Sequence, residues 1–166
     1  ASRPHQKRGL THVIRARLVE ACPETLAGVR DAAIISVGYD TLCRSSELAA
    51  MQLAHVELME EGTGRVLIPR TKADTVGEGR IAYLAPETAT LVARWIDEAN
   101  IADGGFRALH LQRVADGPLA TSSIRRLIKR ATDRAGLGPS ASSHLDCRRA
   151  DARILRGSNA AVGSAA

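Results

Sequence analysis

Aromatic residues and cysteines are scarce in this sequence of 166 residues, and each shortage excludes a class of protein. One Trp, two Tyr and one Phe are too few for the stacking platforms of single-strand nucleic-acid binders. The three cysteines, Cys22, Cys43 and Cys147, form neither a CxxC motif nor a disulfide framework. They predict a reduced, cytoplasmic protein.

Long apolar runs and cofactor motifs are also absent. No run approaches the length of a membrane span and no secretory signal opens the sequence, so we expect no membrane partner. The sequence has no P-loop, no GxGxxG and no Asp/Glu/His cluster, which predicts no metal, no cofactor and no small-molecule substrate. What is present is basic charge: Lys and Arg number 23 against 18 Asp and Glu, which favours a polyanionic partner.

The periodicity predicts a mainly helical α+β domain. Apolar residues recur at three- and four-residue steps in helices that Thr11, Ser45 or Ser46, and Thr121 are expected to cap. Pro23 stops the first helix and Pro86 opens the fourth. Residues 1–10 are interpreted as a linker or cut end, 11–157 as a single domain and 158–166 as a small-residue tail.

The period changes in the middle of the chain. The segments "HVELM", "GRVLIPR" and "GRIAYLA" predict three short strands, joined by turns rich in Gly, Asp and Thr. They form a small antiparallel meander. The segment "ADGGFRALHLQRVADGPLA" is interpreted as a long connection before the fifth helix.

Two basic residues in the first half of the sequence could bind phosphate. Arg44 stands where two helices meet, and its planar fork fits two phosphate oxygens beside free backbone N–H groups. The alternative is a structural arginine that pairs with Glu47 or a carbonyl. Lys72 lies in the second turn of the meander, where it could deliver a proton or simply serve solubility.

The second half of the sequence carries two further basic groups. In the fifth helix, Arg125, Arg126, Lys129 and Arg130 could follow a phosphate backbone or could form an ordinary solvated face. His144 and Arg148 are four residues apart, so one helix face could present both. There they could form a proton-transferring and oxyanion-binding pair, or a capping histidine with a surface arginine.

The order of these features resembles the catalytic domain of the tyrosine recombinases, or phage integrase family. "YDTLCRSSELAAMQLAHVEL" is similar to the first-arginine segment of that family, and "IPRTKADTVGEGRIAYLAP" to its lysine hairpin. "SSIRRLIKRATDRAGLGPSASSHLDCRRADARIL" is similar to the run into its His-x-x-Arg motif. The resemblance covers roughly residues 8 to 165.

The resemblance implies a mechanism without metal or nucleotide. Arg44 and Arg148 would neutralise the oxygens of a scissile DNA phosphate, and Lys72 would protonate the leaving 5′ oxygen. His144 would assist proton movement while a tyrosine formed a 3′-phosphotyrosine. Duplex DNA is the implied partner, together with other recombinase subunits, so the protein would associate with the nucleoid when bound.

The sequence departs from the family pattern near its end. His-x-x-Arg appears as His-x-x-x-Arg, with Cys147 at the expected arginine position and the carboxylate of Asp146 beside the site. If the added residue lies in the loop, Arg148 keeps its place; if it lies in the helix, Arg148 rotates by about 100°. We prefer the loop interpretation.

The nucleophile is the second departure. No Tyr follows Arg148, and Tyr39 and Tyr83 are both expected to be committed to packing. We therefore expect an incomplete recombinase catalytic domain that binds duplex DNA but does not cut it alone. The alternative is a non-catalytic, basic helical DNA-binding or regulatory module that kept the fold.

Overall fold

The computed structural model describes residues 11–69 and 79–137. The helices are α1 (His12–Glu20), α2 (Leu26–Thr41), α3 (Ser45–Ala50), α4 (Pro86–Ala99) and α5 (Thr121–Arg134), with a short 3-10 turn at Leu53–His55. The strands are β1 (Val56–Leu58), β2 (Gly64–Ile68), β3 (Arg80–Leu84), β4 (Arg107–His110) and β5 (Arg113–Pro118). The mixed, mainly helical class predicted from the sequence is confirmed.

Helix α2 is the centre of the core. It is buried along most of its length, on several sides, and its main neighbours are α1 and α4. Ile34 and Ile35 are fully buried, and Trp95 of α4 is 1% exposed. Burying side chains of this size stabilises the fold by about 1.5–3 kcal/mol each. None of the helices within the described ranges is both long and apolar enough to cross a membrane.

The predicted three-stranded meander is confirmed. Its order is β1-β2-β3 with antiparallel pairing, and Val66 stands opposite Val56 on one side and Ala82 on the other. Burial alternates along β2 and β3, as period-two strands with one face on a core require. The outer face therefore carries Leu67, Ile81 and Tyr83, which are all exposed.

A second sheet was not predicted. The segment interpreted as a long connection contains the antiparallel hairpin β4–β5, which turns through Leu111 and Gln112. Both turn residues have positive φ, 49° and 59°, as a two-residue hairpin turn of the common twisted type needs. Gln112 Oε1 also accepts a hydrogen bond from the Ala27 N–H at 3.2 Å, which fastens the tip to the start of α2.

Helix ends agree with the sequence in part. Thr11 caps α1, because its Oγ1 accepts the Ile14 N–H at 3.2 Å. The predicted caps of α3 and α5 are wrong by one or two residues: Arg44 and Ala120 occupy the cap positions, and Ser45 and Thr121 are already helical.

The first and last described helices are tied together. Arg17 of α1 donates from Nη2 to the Ala135 carbonyl at the end of α5, at 3.0 Å. An arginine at this position also suits the negative end of the α5 dipole. Gly136, at φ 67°, then ends the helix as the sequence predicts.

Candidate functional site

Both backbone polar groups of Arg44, the N–H and the carbonyl, make hydrogen bonds within α3. Its N–H donates to Glu47 Oε2 at 2.7 Å, and its carbonyl accepts the Leu48 N–H at 2.9 Å. A guanidinium has no acceptor, so Arg44 cannot cap α3 with its own side chain. The Glu47 carboxylate supplies the capping bond instead, which explains why no serine is needed at the cap position.

The residue before Arg44 anchors the junction between α2 and α3. Cys43 is fully buried, and its N–H donates to Thr41 Oγ1 at 3.3 Å. Thr41 in turn donates to the Val37 carbonyl at 2.7 Å. Burial raises the pKa of the Cys43 thiol above its usual value, while a hydrogen bond of the thiol itself with the Thr41 side chain and the Arg80 charge act in the opposite direction. The thiol is therefore a neutral packing group.

The Arg44 side chain is half-buried, and among the described residues it makes no hydrogen bond or ion pair that would stabilise the fold. Within residues 11–69 and 79–137, no carboxylate or carbonyl bonds its guanidinium. The structural alternative, pairing with Glu47, occurs only through the Arg44 backbone N–H. A permanently charged fork on a fixed backbone is suited to bind an oxyanion.

Helix α5 presents the predicted basic face. Its apolar side packs inward, with Ile124, Leu127 and Ile128 almost completely buried. The four basic residues predicted to contact DNA are all exposed: Arg125, Arg126, Lys129 and Arg130.

The helical period divides these four side chains between two flanks. Residues four apart share a flank, so Arg125 lies with Lys129 and Arg126 lies with Arg130, about 100° further round. Lys129 Nζ pairs with Asp133 Oδ2 at 3.1 Å, whereas Arg126 Nη2 donates to Ser123 Oγ at 3.3 Å. The Arg126 flank is therefore the more strongly cationic of the two.

A cleft of about 250 Å³ opens beside the Arg126 flank. Its other wall comes from Ala108 and Leu109 of β4, with Arg30 of α2 in its lining. Arg30 is buried, pairs with Asp31 at 2.9 Å and donates from Nη1 to the Arg107 carbonyl at 3.1 Å. It therefore fixes β4 against α2, and the unpredicted hairpin becomes one side of the basic surface.

Sequence reasoning missed Arg30 and Arg80, and it considered Glu47 only as a pairing partner of Arg44 and not as the residue that bonds the Arg44 N–H. Glu47 carries a detectable signal, since an acidic residue three positions after a helix cap is typical of a capping box. Arg30 and Asp31 are adjacent opposite charges in an otherwise largely apolar stretch of α2, which indicates a buried ion pair. Arg80 approaches Cys43 from a strand 37 residues away, and no local pattern indicates that contact.

Three of the predicted catalytic residues cannot be placed. Lys72, His144 and Arg148 lie outside the described residues, so their convergence with Arg44 stays a prediction. In the described part of the chain, no group of three or more His, Cys, Asp or Glu side chains could hold a metal ion.

The expectation for the tyrosines is wrong for Tyr83. It is 74% exposed on the outer face of the sheet, because the strand alternation directs it away from the core. Tyr39 is half-buried, with the Arg15 guanidinium 5.5 Å from its ring centroid.

Sequence comparisons connect this arrangement to known proteins. A model of the phage integrase family matches residues 10–160. The integrase/recombinase xerD homolog of Selenomonas ruminantium is 30% identical over 123 residues, which cover 69% of this chain and 36% of that protein. The recombinase cre of Escherichia phage P1 is 28% identical over 105 residues, covering 63% of this chain and 31% of that protein.

Solved structures show the same architecture. The crystal structure of XerA recombinase matches with a TM-score of 0.68 and 25% identity, over 95% of this chain and 53% of that one. The XerH site-specific recombinase bound to its difH substrate matches with a TM-score of 0.61 and 17% identity, over 83% and 40%. The chain thus spans about a third of the curated relatives and about half of the XerA chain.

Proposed function

Because the chain belongs to the phage integrase family, we propose that it is the DNA-binding part of a site-specific tyrosine recombinase catalytic domain, incomplete and inactive alone. The relatives it resembles are recombinases, and one of them was solved on its DNA substrate. Arg44 carries the proposal: its backbone is held by Glu47, while its guanidinium has no carboxylate partner in the described ranges.

The reaction assigned to this site is an exchange of phosphodiester bonds. Arg44 neutralises charge on the non-bridging oxygens of the scissile phosphate as that charge grows in the transition state. The resemblance assigns Arg148 to the same phosphate, Lys72 to protonation of the leaving 5′ oxygen and His144 to proton movement at the nucleophile. A tyrosine forms the 3′-phosphotyrosyl bond, which conserves the energy of the broken phosphodiester.

The basic flank of α5 supplies affinity in this proposal. Arg126 and Arg130 are exposed, lie four residues apart and border the cleft that β4 completes. Each arginine that neutralises a DNA phosphate releases condensed counterions, so the logarithm of the affinity falls linearly with the logarithm of salt. The partner is duplex DNA, because so few aromatic residues cannot build a stacking surface for single strands.

Salt-dependent binding to duplex DNA tests this function. We expect measurable affinity for duplex DNA at low salt. The double replacement Arg126→Ala with Arg130→Ala should reduce the slope of log affinity against log salt by about 1.8, because two phosphate contacts are lost. The matched control is Arg65→Ala with Arg94→Ala. It removes the same charge from arginines that already pair with carboxylates, so it should leave the slope close to that of the parent.

A non-catalytic DNA-binding or regulatory role is the second candidate. It is favoured by the positions of Tyr39, packed under Arg15, and Tyr83, on the outer sheet face. The two candidates share the DNA-binding result and differ in whether a tyrosine supplied separately restores strand cleavage. Cleavage restored in a mixture with a family catalytic segment that contributes only its tyrosine would favour the recombinase.

A further inference from the structure

Arg80 lies at the edge of the Arg44 site. It is the first residue of β3, directly after Gly79, whose φ of 90° is readily adopted only by glycine. Pairing with Ile68 places it at the end of the sheet where β2 ends and β3 begins. Its side chain is exposed, yet its Nη2 lies 3.7 Å from the buried Cys43 Sγ.

This contact brings the Arg80 guanidinium to the residue that precedes Arg44. Cys43 precedes Arg44 in the chain, so a guanidinium held at the Cys43 sulfur lies next to the cap of α3. A thiol is only a weak acceptor, and it leaves most of the five donors of Arg80 uncommitted. Across residues 11–69 and 79–137, no carboxylate pairs with Arg80.

Arginines elsewhere in the described part of the chain behave differently. On the neighbouring strand, Arg65 pairs with Glu57 at 2.6 Å, and on α4, Arg94 pairs with both Glu98 and Glu24. The acidic residue of α3, Glu47, already accepts a hydrogen bond from the Arg44 N–H. The charge of Arg80 therefore remains available to an anionic ligand.

We propose that Arg80 is a further phosphate-binding arginine at the Arg44 site, in addition to Arg44 and Arg148, and that it contacts a non-bridging oxygen of the DNA backbone. This rests on the proposed function and adds a residue to it. The Cys43 sulfur holds one edge of the Arg80 guanidinium, and the free edge receives the phosphate. Burial of the partner sulfur keeps this orientation fixed, since Cys43 is fully enclosed by the core.

Three replacements separate the charge of Arg80 from its hydrogen bond to the Cys43 sulfur, which positions the side chain. Arg80→Ala removes both, Arg80→Lys keeps the charge, and Arg80→Gln keeps a donor for the Cys43 sulfur without the charge. We expect the log–log salt slope of duplex binding to decrease by about 0.9 in the Ala and Gln variants and to stay near the parent value in the Lys variant. Arg65→Ala is the control, because it removes one charge that Glu57 already neutralises.

Thermal unfolding by circular dichroism checks that each variant is folded, and the Lys and Gln variants carry the test should the Ala variant unfold. A parent slope in both the Ala and Gln variants overturns the inference while leaving the proposed function intact. A loss in the Lys variant with a parent slope in the Gln variant also overturns it, since placement alone would then matter. Absence of salt-dependent binding by the parent protein is a different result, which contradicts the proposed function itself.

Discussion

At the scale of single residues, Leu42 adopts the least expected backbone conformation near the site. It ends α2 with φ 55° and ψ 31°, the left-handed region that costs an ordinary L residue about 1–2 kcal/mol. Its N–H still bonds the Gly38 carbonyl at 3.1 Å, so the strained residue directs the chain into Cys43 and Arg44. The strain is local to the proposed phosphate site.

Replacing Leu42 tests this strain. We expect Leu42→Gly to be more stable than Leu42→Val by at least about 1 kcal/mol, because a β-branched side chain tolerates positive φ least. Urea unfolding of the two variants gives the difference directly. Equal stability of the Gly and Val variants would show that the left-handed conformation is not retained.

The thiol of Cys22 gives a second prediction at the residue scale. Burial, followed by the nearby negative charge of Asp31, raises the pKa of Cys22 to about 11, while Arg134 lowers it. Only the thiolate is nucleophilic, so alkylation of Cys22 should stay slow at pH 9 and accelerate toward pH 11. Mass spectrometry of iodoacetamide-treated protein measures the rate at each pH.

The sign for folding stability follows from the same shift. An unfolded Cys22 ionises at lower pH than the folded one, so this residue contributes stability below about pH 9 that is lost as the pH rises toward 11. Arg134→Ala is the companion variant, because removing that cation should move the alkylation profile of Cys22 to still higher pH. A profile unchanged by Arg134→Ala would mean that the cation does not act on Cys22.

At the scale of elements, the sequence predicted what periodicity controls and missed what turn chemistry controls. Helices α2, α4 and α5 follow from apolar residues at three- and four-residue steps. The β4–β5 hairpin escaped because Leu111 and Gln112 replace the Asn-Gly or Asp-Gly pair by which such turns are recognised. The caps of α3 and α5 were misplaced because the prediction relied on the preference for serine and threonine at such positions. At α3, the Glu47 side chain bonds the N–H of the cap residue Arg44.

The hairpin turn provides the prediction at this scale. Leu111 is 83% exposed with φ 49°, so replacing it removes little buried area. Leu111→Asn should stabilise the hairpin by a few tenths of a kcal/mol to about 1 kcal/mol, since Asn tolerates this conformation, and Leu111→Val should destabilise it. Hydrogen exchange of the β4 and β5 amides reports both changes. Faster exchange in the Asn variant than in the Val variant would contradict this description of the turn.

At the scale of the whole molecule, the site is assembled from segments that no single motif joins. Arg44 was identified from the sequence because it stands where two helices meet, directly before the segment "SSELAAM". The contact of Arg80 with Cys43 depends on tertiary packing around α2, and so does the cleft wall that β4 forms beside α5. Neither could be predicted from a local sequence pattern. The same packing decides where the tyrosines lie.

The chain of residues 1–166 should therefore form no covalent adduct with a labelled suicide DNA substrate. Tyr39 is covered by Arg15 and Tyr83 stands on the outer sheet face, and a displacement of even ~1 Å can cost about a hundredfold in rate. A protein–DNA band that survives denaturation, and that disappears with Tyr39→Phe or Tyr83→Phe, would contradict this expectation.

The bond from Arg17 to the Ala135 carbonyl also has a consequence during synthesis. Its partners are 118 residues apart, so the first helix leaves the ribosome long before its partner exists. At about 5–20 residues per second, translation of the intervening chain takes roughly 6–24 s. Throughout that interval α1 can pack chiefly against α2, and its contact with α5 is completed only when the last described helix has been made.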